Sequence, residues 1–156
     1  MRSTRNNVFG KLALVIGIAF LAFFLTLRYE TLFGTRPDFL LATLVAASFF
    51  LTFPAFVVVV LFEIFLINWV PVLTPEIIVF GVLPPVIFFF RKIIFPFDGW
   101  MWNLVATFLC IVLFYGITGF GIALENVSSF FGNTAVSLMF GALIFRLFGY
   151  FYEEIR

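Results

Sequence analysis

Apolar residues run through this chain in long blocks separated by short polar breaks. The first block covers 9–27 and is closed by Arg28-Tyr29-Glu30. It has Arg2, Arg5 and Lys11 before or just inside it, as a signal peptide would, but no small-x-small cleavage site precedes Arg28. It therefore reads as a retained membrane anchor. The second block, 39–70, carries one charge, Glu63, and is interrupted at Phe53-Pro54-Ala55. As one helix it would be about 48 Å long, against a hydrocarbon core of about 30 Å. Proline disfavours helical geometry at the residue before it and removes a backbone donor. The block is thus expected to form two short helices, 39–53 and 55–70. It remains open whether this hairpin is re-entrant or crosses twice.

A fourth block spans 75–90, with a kink expected at Pro84-Pro85, and ends at Arg91-Lys92. Pro96-Phe97-Asp98-Gly99 reads as a turn. A fifth block follows over 100–124, then a small polar loop over 125–133 and a sixth block over 134–152. The pattern predicts an all-α, polytopic membrane protein: one domain, 1–156, of six transmembrane helices with short second and third members.

Composition agrees. Of 156 residues, 64% are apolar and 11% charged, whereas a soluble domain carries about a quarter charged. There is no histidine, and the one cysteine, Cys110, lies inside an apolar block. Zinc sites, Ser-His-Asp triads and disulfide frameworks are thereby excluded, and no cofactor is expected. A net charge of +1 without a long basic run argues against nucleic acid as a partner.

Charge placement orients the bundle, because Lys and Arg collect on the cytoplasmic side. Six spans with a cytoplasmic N-terminus put seven basic residues inside and two, Arg28 and Arg36, outside. Fusing the second and third spans reverses the balance to three against six. Six spans with both termini in the cytoplasm is the expectation. Trp69, Trp100, Trp102, Tyr150 and Tyr152 all fall at predicted helix ends, where amphipathic rings favour the interface.

Few residues carry candidate chemistry. Glu63 lies midway along the third span, where a carboxylate costs at least about 2.5 kcal/mol on insertion scales. It is expected either to be tied to Thr43, Ser48, Tyr115 or Arg146, or to meet a partner helix, a ligand or a proton. Arg36-Pro37-Asp38 opens the second span, with Pro37 suited to a first turn and Asp38 to the positive end of the helix dipole. Gly116-x-x-Gly119-x-Gly121 lacks the strand of a dinucleotide site and reads as helix packing, as does Ser137-x-x-x-Gly141. Arg146 is placed to snorkel and Arg91-Lys92 to grip anionic lipid. The 27 phenylalanines read as lipid-facing bulk or base composition rather than a ligand cage. No acid dyad, His-Glu pair or activated serine is evident, so an enzyme is not expected.

Six short spans, the segment Arg36-Pro37-Asp38-Phe39-Leu40-Leu41, Glu63 in the next helix and the closing stretch from Asn133-Thr134-Ala135 to Leu147 together resemble the MreD family. The resemblance covers nearly the whole chain. It implies a noncatalytic subunit of the bacterial cell-elongation (rod-shape) machinery in the inner membrane. Such a subunit binds an MreC-like bitopic protein and, through it, couples an MreB-like filament to peptidoglycan synthases. Glu63, Asp38, Pro37 and Arg36 would be the partner-binding or buried polar positions. The MreD fold is also similar to substrate-binding S components of energy-coupling-factor vitamin transporters. A solute-binding subunit is therefore the alternative, and it would need polar groups from the exterior loops to converge on a pocket.

Overall fold

The computed structural model describes residues 2–33, 37–68, 74–94, 99–119 and 127–153. Among these residues the chain forms six α-helices and no strand: α1 (Arg2–Phe33), α2 (Phe39–Ser48), α3 (Phe53–Ile67), α4 (Pro75–Ile94), α5 (Trp100–Thr118) and α6 (Val127–Glu153). Among the described residues, three segments are long and apolar enough to cross a membrane: Phe9–Glu30 in α1, Trp100–Thr118, and Val127–Phe151 in α6. In each of them 28% of the apolar window is buried inside the bundle. Large side chains such as Phe20, Leu113, Met139 and Leu143 point outward instead. Water does not tolerate so much contiguous apolar surface on a lone subunit; this is a membrane protein.

The centre of the bundle is α2. All ten of its residues, Phe39–Ser48, are buried, and it packs against each of the other five helices. A helix that is apolar all round belongs in a core. Its two hydroxyls stay inside its own ladder, Thr43 Oγ1 donating to the Phe39 carbonyl (2.8 Å) and Ser48 Oγ to that of Val45 (2.7 Å). At about 15 Å α2 is half the thickness of a hydrocarbon core. Its complete burial makes that length possible, because the longer α1, α5 and α6 present apolar surface around it.

The break at Pro54 is real but displaced from the sequence expectation. The second helix stops at Ser48, five residues before 53, and the third starts at Phe53, two before 55. Phe49 and Phe50 donate to the Ala46 and Ala47 carbonyls (both 3.1 Å), the tightened bonding that ends a helix. Thr52 is extended and Pro54 sits in the first turn of α3, where its missing donor costs nothing. Proline here starts a helix rather than splitting one.

Other boundaries also move. Arg28-Tyr29-Glu30 does not close α1, which continues to Phe33; Tyr29 packs edge-on against Phe39 at 6.0 Å. Across Pro84 and Pro85 α4 stays helical, to Ile94 rather than 90, since neighbouring helices shelter the freed backbone groups. The fifth helix ends at Thr118, six residues before 124, with the Gly119 N–H bonded to the Tyr115 carbonyl (3.0 Å). The sixth starts at Val127 rather than 134, so most of the expected 125–133 loop is helix. Phe130, edge-on to Tyr115 at 5.4 Å, anchors that added length. Glu125, Trp69, Tyr152 and the Pro96-Phe97-Asp98 part of the expected turn fall outside the residues or side chains described.

The phenylalanines do more than face lipid. Phe56 stacks on Phe88 at 5.1 Å, and Phe50 meets both Phe145 (5.0 Å) and Phe148 (5.6 Å). Phe56 and Phe148 are fully buried. These rings tie the C-terminal end of α2 to α6, and α3 to α4.

Candidate functional site

The helices end in two chemically different regions. At one end, Thr26 of α1, Pro37 to Leu41 at the start of α2, Ile64 and Ile67 of α3, Glu76, Ile77 and Phe80 of α4, and Phe114 and Tyr115 of α5 surround one cavity of about 250 Å³. Successive helices therefore alternate in direction. The opposite end carries Arg91, whose guanidinium lies 4.4 Å from the Phe88 ring centroid and 5.8 Å from that of Phe49, and Arg146, 5.8 Å from Trp100. Cation–π contacts of this kind hold a charge beside apolar rings. Of the Lys and Arg on the described helices, Arg2, Arg5, Lys11, Arg91, Lys92 and Arg146 lie toward this end, and Arg28 toward the cavity end.

Asp38 occupies the N-cap position of α2, although its side chain makes no capping bond. The Asp38 N–H instead donates to Ser137 Oγ of α6 (2.8 Å), which itself donates to the Asn133 carbonyl (2.8 Å). The entry to the central helix is thereby fixed to α6. Pro37 is buried beside it, and Arg36 lies outside the described residues. One turn further along α6, the Gly141 carbonyl accepts from Asn103 Nδ2 of α5 (3.1 Å). A Cβ on Gly141 would lie 3.4 Å from Ala42 Cβ and 3.5 Å from Thr107 Oγ1. The Ser137-x-x-x-Gly141 spacing is thus a close crossing of α2, α5 and α6, as small residues permit. Gly116 is different: it is exposed and nothing lies within 4 Å of its Cβ direction. The packing expected of Gly116-x-x-Gly119-x-Gly121 is not formed there, because α5 ends before Gly119 and Gly121 is outside the described residues.

Glu63 is 0% exposed and belongs to the buried stripe of α3, with Phe56, Val59, Val60 and Leu66. Neither carboxyl oxygen has a hydrogen-bond partner among the described residues. The anticipated ties are absent from that set: Thr43 and Ser48 donate within α2, and Arg146 lies over Trp100. Nor is Glu63 on the outer surface where a partner helix would lie. Its neighbour Ile64 and Ile67, one turn on, line the cavity with Pro37 and Asp38, but Glu63 does not. Asn103 Oδ1 and Thr107 Oγ1 are likewise buried and unbonded among the described residues.

Thr26, Glu76, Phe80 and Phe114 were not apparent as a group, since they sit on three different helices. The Thr74-Pro75-Glu76 start of α4 was the legible signal: Glu76 accepts from the Thr74 hydroxyl and from its own N–H, at a helix end that suits an anion. Among the described residues, no three His, Cys, Asp or Glu come together as metal ligands. No family model matches the chain, and neither curated proteins nor solved structures give a match.

Proposed function

We propose that this chain is a noncatalytic scaffold of the bacterial cell-elongation complex, crossing the inner membrane six times with both termini in the cytoplasm. It binds an MreC-like bitopic protein and, through it, links an MreB-like filament to peptidoglycan synthases. The observation that carries this reading is the Pro37-Asp38 entry into a wholly buried α2, tied to α6 through Ser137. The segment that gives the family resemblance is thus the segment around which the other five helices pack. The concentration of basic residues at the end opposite the cavity favours a cytoplasmic placement of that end. Outward side chains such as Phe131, Met139 and Leu143 on α6 offer an apolar face to lipid or to a partner helix. In this reading Glu63, enclosed in the bundle, serves as a polar group held inside α3 rather than as a contact to the partner.

Purification from native membranes tests this. The expected result is stoichiometric recovery of an MreC-like bitopic protein. Recovery of an energising ATPase module with a bound vitamin would overturn it. The cavity is the one observation that favours that second reading, a solute-binding transporter subunit, because it gathers polar groups at the expected exterior end.

A further inference from the structure

The polar groups of the cavity wall are already engaged. The Thr26 hydroxyl donates to the Ala22 carbonyl (2.9 Å), and Glu76 accepts from the Thr74 hydroxyl and from its own N–H. Neither Asp38 nor Tyr115 is without a partner, and the described lining holds no Lys or Arg. An anion therefore meets no cation there, and a cation would compete with the partners the two carboxylates already have. A polar neutral molecule would bury groups that gain few hydrogen bonds, which costs free energy. What remains for recognition is apolar surface.

That surface is built largely of rings. Phe39, Phe80, Phe114 and Tyr115 all line the cavity, with Phe39 and Phe80 buried. Phe114 meets Phe80 edge-on (6.4 Å between centroids, 86°) and Tyr115 edge-on (5.5 Å, 88°). Edge-to-face contacts of this kind attract beyond what area burial supplies, and one further ring in the cavity extends the array. The volume of about 250 Å³ exceeds the roughly 150 Å³ of an apolar cavity that takes up benzene. It falls under the roughly 300 Å³ at which drug-sized sites begin. We infer that this cavity is a binding site for an uncharged aromatic ring with at most a short apolar substituent, held against Phe80 and Phe114. The site stands apart from both readings of the chain's function.

The full-length chain in phosphatidylglycerol nanodiscs, titrated calorimetrically with ethylbenzene, ethylcyclohexane and 2-phenylethylammonium, tests the site. Partition into lipid does not saturate, and nanodiscs carrying Ile67→Phe supply the blank. Ile67 lines the cavity, and a ring grown there takes the ligand's space. Saturable binding of ethylbenzene is expected in the wild type and not in Ile67→Phe. It should be about two- to tenfold tighter than binding of ethylcyclohexane, the range for one aromatic pair, and the ammonium compound should bind no more tightly than ethylbenzene. Phe114→Leu should narrow the preference for the aromatic ring, which keeps the test decisive if Ile67→Phe does not fold. Absence of saturation in the wild type, full binding by a folded Ile67→Phe, equal affinity for the ring and its saturated counterpart, tighter binding of the ammonium compound, or an unchanged preference in Phe114→Leu would overturn the inference. Repeating the titration on the chain copurified with its partner assigns the source. Uptake by the chain alone but not by the complex supports an aromatic side chain of the partner, and uptake by both supports a free aromatic molecule. Failure of the titration leaves the copurification test intact, and failure to recover a bitopic partner leaves the titration intact.

Discussion

Glu63→Leu is expected to stabilise the isolated protein and to damage its function. A buried carboxyl with neither oxygen bonded among the described residues lost its water on folding and regained no hydrogen bond within that set, a cost of about 1–3 kcal/mol for an unsatisfied group. Leucine fills a similar volume without that cost and continues the apolar stripe of Val59, Val60 and Leu66. The melting temperature in detergent should rise by about 2–4 °C for each kcal/mol recovered. Glu63→Gln keeps the shape and the polarity and should leave stability within about 1 kcal/mol of the wild type. Under the proposed scaffold role, rod shape should be lost with leucine and retained with glutamine, which separates a need for a polar group at this position from mere filling of space. If Glu63→Leu melts well below the wild type, the carboxyl has a structural partner. If both variants support normal rods, Glu63 plays no part in function.

Gly141→Leu should have the largest effect of the opposite sign. The α-carbon of Gly141 lies where α2, α5 and α6 cross, and a bare Cβ there already reaches ordinary contact with Ala42 and Thr107. Alanine fits that space, so Gly141→Ala should be nearly neutral. Leucine adds three more carbons with nowhere to go, since Ala42 and Thr107 are themselves fully buried. Overpacking of this kind costs typically about 1–3 kcal/mol. Here it also separates the Gly141 carbonyl from Asn103 Nδ2, stranding a second buried polar group. Loss of a monodisperse peak in size-exclusion chromatography for Leu, with Ala unaffected, is the expected outcome. Equal behaviour of the two variants would show that the crossing is looser than the distances indicate.

Much of the helix pattern was legible because apolar blocks and their breakers are local. Pro54 marked a division of the 39–70 block, and Arg91-Lys92 marked the approach to the end of α4. The ends of α2 and α6 were less legible because tertiary contacts set them. Ser48 ends a helix that nothing in Phe49-Phe50-Leu51 forbids, and Val127 starts one that its Ser-rich first turn does not advertise. The Phe50–Phe148 and Tyr115–Phe130 contacts link those boundaries to residues far away in sequence. Glu63 could be placed inside the membrane by its neighbours, and such a position ordinarily implies a partner. Its lack of a hydrogen bond among the described residues needed the three-dimensional packing. The cavity was invisible for the same reason. It is assembled from the ends of five helices, and Thr26 or Phe80 read alone is an ordinary residue of an apolar run.

Thiol labelling of intact cells tests most directly the claim that the cavity end faces outward and the Arg91–Arg146 end faces the cytoplasm. Cys110, the single native cysteine, is buried, so Cys110→Ala provides a silent background for Glu76→Cys and Tyr150→Cys, both at exposed positions. A membrane-impermeant maleimide that reaches position 76 from outside should modify it without permeabilisation, and position 150 only after the membrane is opened. The reverse pattern, with position 150 labelled on intact cells and position 76 protected until lysis, would contradict the orientation on which the proposed scaffold role rests.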